Sequence, residues 1–197
     1  MPKKKLPAKK RKSKMTALDF DTAFRYPFKR KKALWNILWM FLPIIGWFVL
    51  IGYSVRIIKE FSKGKFKQLP VLKFKSDMKL GFFMFFKSLP FIIIYGIIIG
   101  GLTAINPFLR FITLPFEILL IPILFVNFFN KETISSLFEF KLIHVVIDNL
   151  GDYAMVFLRG LALGLTFFFL WIVLIGIPAG AFTSYIFVAD FYRRHVK

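Results

Sequence analysis

Glu117 is the residue of this chain best placed to do chemistry. It is the only formal charge in five apolar stretches, Ala33–Val55, Ser88–Leu109, Phe111–Phe129, Gly160–Ile177 and Pro178–Ala189. An ionisable group inside hydrocarbon is expensive, and its usual role is to carry a proton or cation or to hold a structural ion pair. Arg110 precedes it by seven residues, on roughly the same helix face, and can reach down to pair with it. Asn106, Thr113 and Asn127 would extend the pair into a polar strip. As a strip it reads as a candidate intramembrane polar site; as a pair it reads as a structural bridge, the simpler of the two.

Other spacings carry less. Arg159 and Asp190 stand near the same ends of the last two apolar segments, which a short Gly-Pro turn makes antiparallel neighbours. An Arg159–Asp190 bridge is therefore expected, with Arg193 or Arg194 as the competing partners at i+3 and i+4. His144, Asp148 and Asp152 recur every four residues, but Gly151 interrupts the helix before Asp152, so no metal site is expected. With no Cys there is no disulfide, thiolate nucleophile or Cys-ligated metal. No phosphate-binding Gly loop, nucleophile elbow or His-Glu-x-x-His is present. The chain reads as non-enzymatic, without a cofactor.

The elements that must position these residues are helices in a bilayer. Hydrophobic residues make up 57% of the chain and Phe alone supplies 28 of 197 residues, and runs of about 18 or more apolar residues match a helix crossing ~30 Å of hydrocarbon. Alternating polarity of the β-barrel kind is missing, and no cleavable signal peptide is expected. The fold class expected is an all-α integral membrane protein with about four transmembrane helices, a re-entrant hairpin and interfacial amphipathic helices. Residues 1–15 read as a disordered basic tail and residues 16–197 as a single polytopic membrane domain.

Charge sets the orientation. Of 29 Lys and Arg, 13 lie in residues 1–32 and nine in residues 56–87. Both flanks of Ala33–Val55 are thus basic, so the positive-inside rule predicts a hairpin turning at Pro43–Gly46 rather than a span. A short interfacial helix is expected over Phe20, Phe24 and Phe28, with its aromatic face in the headgroups. Lys59–Lys79 reads as a basic surface segment, Ser88–Ile105 and Phe108–Phe129 as two spans joined at Asn106-Pro107, and Glu132–Leu150 as an amphipathic helix. Tyr153–Ile175 would span outward, and a shorter helix to about Tyr192 would return. Both termini are then cytoplasmic in a multi-pass protein of the cell membrane, and Arg110 is the one outer cation.

Gly96 with Gly100, and Gly160 with Gly164, have the small-xxx-small spacing that lets helix backbones pack closely. Pro43–Arg56 and Pro178–Arg193 share an outline, a Pro-Gly break before a short aromatic-rich helix, which is the pattern of a paired broken helix.

Ala23-Phe24-Arg25-Tyr26-Pro27-Phe28, Leu42-Pro43-Ile44-Ile45, Gly52-Tyr53 with Arg56, Leu69-Pro70 and Gly151-Asp152-Tyr153 occur in the order found in one family. On these motifs the chain resembles the domain of unknown function 4013 family, small polytopic membrane proteins of archaea and bacteria. The resemblance covers roughly residues 18–194 and implies the architecture rather than an activity. After Leu-Pro the family has Trp and acidic residues, whereas Val71, Leu72, Lys73, Phe74 and Lys75 stand here.

The expected role is membrane-structural, lipid-interacting or partner-binding; the alternative is a small transporter or channel subunit with Glu117 and Arg110 on a polar path. The partners implied are the lipid bilayer, anionic headgroups at the basic face, and a second copy or another membrane protein. Nucleic acid is the weaker reading of the basic tail, which lacks interleaved aromatics.

Overall fold

The computed structural model describes residues 15–196. The basic tail expected over residues 1–15 lies, Met15 apart, outside the described residues. Described secondary structure is helical throughout. Asp19 caps α1 (Phe20–Arg25), its Oδ1 accepting from the Thr22 N–H at 2.8 Å. Phe24 and Phe28, expected on an aromatic face in the headgroups, are half-buried against the protein. Both pack on Phe167, at ring-centroid distances of 5.7 and 6.0 Å, because the last long helix offers them an apolar partner. Only Phe20 of the three is exposed.

A 3₁₀ turn, the single turn α2 (Lys31–Leu34) and a second 3₁₀ stretch (Trp35–Phe41) lead to a reversal at Pro43–Ile45. The Ile45 N–H donates to the Pro43 carbonyl at 2.8 Å around Ile44, whose φ is 65° and ψ −65°. This is a γ-turn of the rare positive-φ kind. The chain returns as α3 (Ile45–Phe61), with Trp47 Nε1 donating to the Met40 carbonyl at 3.2 Å. The reversal is where the sequence put it, and the returning arm runs six residues beyond Val55.

α3 is the centre of the fold. It packs along the first half of α4 (Phe74–Ile105), on the seam Asp77, Gly81, Met84, Ser88 and Phe91, whose spacings alternate between four and three. The last part of the basic surface segment, from Phe74, and the following span are thus one 32-residue helix through Pro90. Beyond Phe91 the packing stops. No described side chain from Ile92 to Pro122 is buried. The end of α4 and the start of α5 (Leu109–Lys131) therefore project as an apolar hairpin that touches the core only at its base, where Tyr95 and Leu119 pack on it and the Leu119 carbonyl accepts the Tyr153 hydroxyl at 2.6 Å. Only at Ile123 does α5 re-enter the core.

Glu132–Leu150 is not one amphipathic helix: a 3₁₀ turn (Ile134–Phe138) precedes α6 (Leu142–Asp148). Glu139, held by Lys131 Nζ at 2.6 Å, marks the break. That hydrogen bond holds the Glu139 carboxyl below its usual range. α7 (Leu150–Phe169) follows after Asn149, so Gly151 and Asp152 sit in its first turn rather than capping two helices. α8 (Gly176–Thr183) and α9 (Ile186–His195) complete the chain.

α4 and the segment Leu150–Ile172 are long and apolar enough to cross a membrane, and only 17% of each apolar window is buried inside the protein. α5 makes a third candidate if its two halves, bent by 45° near Pro115, count as one span. The expected fourth span is absent among the described residues. The chain breaks at Ser184–Tyr185 into α8 and α9, of 8 and 10 residues, too short to cross.

Four glycines press on backbone, two of them where α3 crosses α4. At the crossing of α3 and α4, a Cβ on Gly52 would lie 1.8 Å from the Asp77 carbonyl oxygen, and one on Gly81 would lie 1.8 Å from that of Phe48. Around Gly96, Gly100, Gly160 and Gly164 a Cβ would meet nothing within 4 Å. The small-xxx-small pairs are thus not packing seams of this chain. Glycines four apart are common in apolar helices, and only a facing helix turns such a pair into a seam.

The two reversals share one build, in a different register from the Pro43–Pro178 match. Ile44-Ile45-Gly46 corresponds to Leu174-Ile175-Gly176: Leu174, like Ile44, has positive φ, at 60° and 65° respectively. Gly46 and Gly176 each press on an upstream carbonyl, of Trp39 and of Phe167, where a Cβ would come within 1.7 and 2.0 Å.

Candidate functional site

The projecting hairpin holds the predicted polar pair. An Arg110 guanidinium nitrogen donates to Glu117 Oε1, and the Glu117 side chain is 12% exposed against 42% for Arg110. The carboxylate is therefore neutralised by a cation two turns away on the same helix face. The Tyr95 ring of α4 lies beside the same pair. Its buried hydroxyl has no hydrogen-bond partner of its own among the described residues.

Of the expected strip only Thr113, one turn before Glu117, stays beside the pair. Asn106 Oδ1 accepts from the Phe108 N–H at 2.9 Å and serves its own turn. Thr113 Oγ1 donates to the Arg110 carbonyl at 3.3 Å. Asn127 sits ten residues past Glu117, about 15 Å along the helix, and belongs to the core. Its Nδ2 donates to the Ser136 carbonyl at 2.8 Å and its Oδ1 accepts from the Tyr192 hydroxyl at 2.9 Å. Asn106 and Asn127 therefore leave the candidate site, because each satisfies a backbone turn or a core partner nearer than Glu117.

The expected Arg159–Asp190 bridge is replaced. Asp190 takes the neighbours one helical turn away: Arg193 Nη2 at 2.6 Å and Arg194 Nε at 2.9 Å. It also accepts the Leu18 N–H at 2.9 Å, while Arg159 Nη1 donates to the Leu18 carbonyl at 2.9 Å. The two residues share one peptide segment without touching. Asp152 ties α7 to α9 instead, through Arg194 Nη1 at 2.5 Å and His195 Nε2 at 2.7 Å. It turns away from His144 and Asp148, and no group of three metal-ligating side chains occurs among the described residues.

The sequence missed a second site, on the basic side. A cavity of about 650 Å³ opens between the end of α3 and the connection to α4, lined by Arg30, Arg56, Glu60, Lys65, Lys67 and Lys73. Its wall is fixed at several points. Leu69 is fully buried, and the Tyr53 hydroxyl donates to the Pro70 carbonyl at 2.9 Å. Arg56 Nη2 donates to the Val71 carbonyl at 2.8 Å and to Asp77 Oδ2 at 2.7 Å. Asp77, read only as part of a basic surface, is 1% exposed and anchors this arrangement. A lone acid among lysines, four residues ahead of Gly81, was the available signal.

A smaller apolar cavity of about 310 Å³ lies on another side of α3, lined by Ile37, Leu50, Ser54, Phe129, Phe182 and Tyr185 among others.

Compared with known proteins, the chain matches no family model, no curated protein and no solved structure.

Proposed function

We propose that this chain is a non-enzymatic, multi-pass membrane protein with both termini on the cytoplasmic side. It works through lipid or partner contact at its basic face and its apolar hairpin. The observation that carries this reading is the α4–α5 hairpin itself. From Ile92 to Ile118 it exposes Ile, Phe and Leu along both helices, and a surface of that extent is stable only when lipid or another apolar protein covers it. The cations lie at the other end of α4 and in the segments beside it, where they meet the anionic leaflet at roughly 1 kcal/mol per Lys or Arg. The ordered motifs between Ala23 and Tyr153 support kinship with the domain of unknown function 4013 family as part of this proposal.

The Arg110–Glu117 pair is the observation that favours a conduit. Against it stands the pair's setting: only the two helices of one hairpin surround it, so a path needs walls from further copies. Glu117→Gln and Arg110→Ala proteins reconstituted in liposomes are expected to show the same ion and solute flux as the parent. Loss of a flux in both, with insertion intact, would establish transport instead.

Topology has a direct test, because the chain has no native Cys. Single Cys residues at the exposed positions Thr16 and Ser76 are expected to react from one side of the membrane, and Cys at Asn106 only from the other. Labelling of Thr16→Cys and Ser76→Cys from opposite sides would mean that Ala33–Val55 crosses.

A further inference from the structure

We infer that the basic cavity beside α3 binds a phosphate group, carried by an anionic phospholipid headgroup or by a soluble phosphate ester. The inference rests on the proposed lipid-contact role for its membrane setting and names the site of that contact.

Five cationic side chains and one carboxylate line the cavity. Arg30, Lys65, Lys67 and Lys73 make no ion pair among the described residues, so their charge is left for a ligand. Arg56 is held by Asp77, which fixes the guanidinium while its buried Nε remains without an acceptor. A second buried donor without a partner is the hydroxyl of Tyr26, a fully buried residue close enough to Arg30, Arg56 and Glu60 to feel their charges. Burial pushes this hydroxyl's pKa up, so it stays protonated and able to donate. Arg56 Nε, an unsatisfied buried donor in the wall of a cationic hollow, is what a phosphate's acceptor oxygen would complete, while the Tyr26 hydroxyl lies beneath that lining. Asp77 Oδ1 also lacks a donor, and Glu60 is the one lining acid, suited to accept from a hydroxyl of the glycerol or sugar that carries the phosphate.

The wall cannot easily collapse. Gly64 turns the chain with φ at +76°, and Arg193 lies over the Phe66 ring at 5.2 Å. A concave hollow of this size takes one headgroup rather than a polymer. Val71, exposed at its rim, would enter the interface beside the phosphate, as a lipid source requires.

The test uses the full chain in nanodiscs of phosphatidylcholine with and without phosphatidic acid, with retained lipids counted by native mass spectrometry. A second arm titrates inorganic phosphate and glycerol phosphate against the detergent-solubilised protein by calorimetry. Lys67 and Lys73 are exposed, so a Lys67→Ala, Lys73→Ala protein keeps its fold; Lys31→Ala, Lys32→Ala removes equal charge outside the cavity. The first double variant is expected to weaken phosphatidic acid binding at least tenfold, and the control less than twofold. Equal losses in both double variants would overturn the cavity and leave a diffuse lipid contact standing. No preference for phosphatidic acid in the parent would overturn the lipid-contact role. If soluble phosphate still binds the parent and is lost in Lys67→Ala, Lys73→Ala, the cavity stands with a soluble ligand.

Discussion

Gly52→Val is expected to unfold the centre of this protein, while Gly160→Ala is expected to stabilise it slightly. At Gly52 a Cβ would sit 1.8 Å from the Asp77 carbonyl oxygen and 2.8 Å from the Gly81 nitrogen. Both obstacles are backbone, inside a helix that cannot yield locally without losing its own hydrogen bonds. The close approach is mutual, since Gly81 meets the Phe48 carbonyl in the same way, and the contacts have the Cα–H···O character found where helices nearly touch. Overpacking of this kind costs about 3 kcal/mol or more, the upper end of the usual range. For a chain of this size each kcal/mol lowers Tm by roughly 2–4 °C, so detergent-solubilised Gly52→Val should melt about 6–12 °C lower or fail to accumulate. Gly160 faces open space, and Ala there gains about 0.5–1 kcal/mol of helix propensity. Equal Tm values for the two variants would refute the placement of the α3–α4 crossing.

Asp190→Ala is the second large effect. Its carboxylate is 2% exposed as a side chain and accepts from Arg193 and Arg194, themselves only 14% and 10% exposed. It also holds the Leu18 N–H. Removing it leaves Arg193 largely buried without an acid and Arg194 with Asp152 alone, and breaking a buried pair in this way costs roughly 3–5 kcal/mol. The segment before α1 should loosen as well, because Arg193 Nη2 also donates to the Thr16 carbonyl at 2.9 Å. Limited proteolysis near Met15–Leu18 and a thermal melt would read the two consequences together. Arg159→Ala removes a single hydrogen bond to the Leu18 carbonyl, so its cost should stay near 1.5–3 kcal/mol. An Arg159→Ala loss as large as that of Asp190→Ala would restore the direct bridge that the local pairs displaced.

Much of the architecture could be read without coordinates. The reversal at Pro43–Gly46 was legible because Pro, Gly and the basic flanks all act locally. The Arg110–Glu117 pair was legible because i and i+7 share a helix face whatever surrounds them. The span boundaries were less so. Lys75 and Lys79 read as surface, yet they ride on the same helix as Ile92–Ile105, because α3 covers the face carrying Asp77, Gly81 and Met84 and leaves those two lysines outside. The last apolar stretch looked continuous in hydropathy, and only the local backbone at Ser184–Tyr185 divides it.

The glycines draw the line most sharply. Gly96, Gly100, Gly160 and Gly164 have the spacing of a packing seam and touch nothing, whereas Gly52 and Gly81, with no such spacing, carry the tightest helix crossing. By itself the sequence determined a basic chain with helices apolar enough for a membrane, since hydropathy and charge add along the chain residue by residue. Only the tertiary structure decided which glycines are crowded, which arginines Asp190 holds and that five scattered cations line one cavity. Those depend on which faces of distant helices meet, and no local sum contains that.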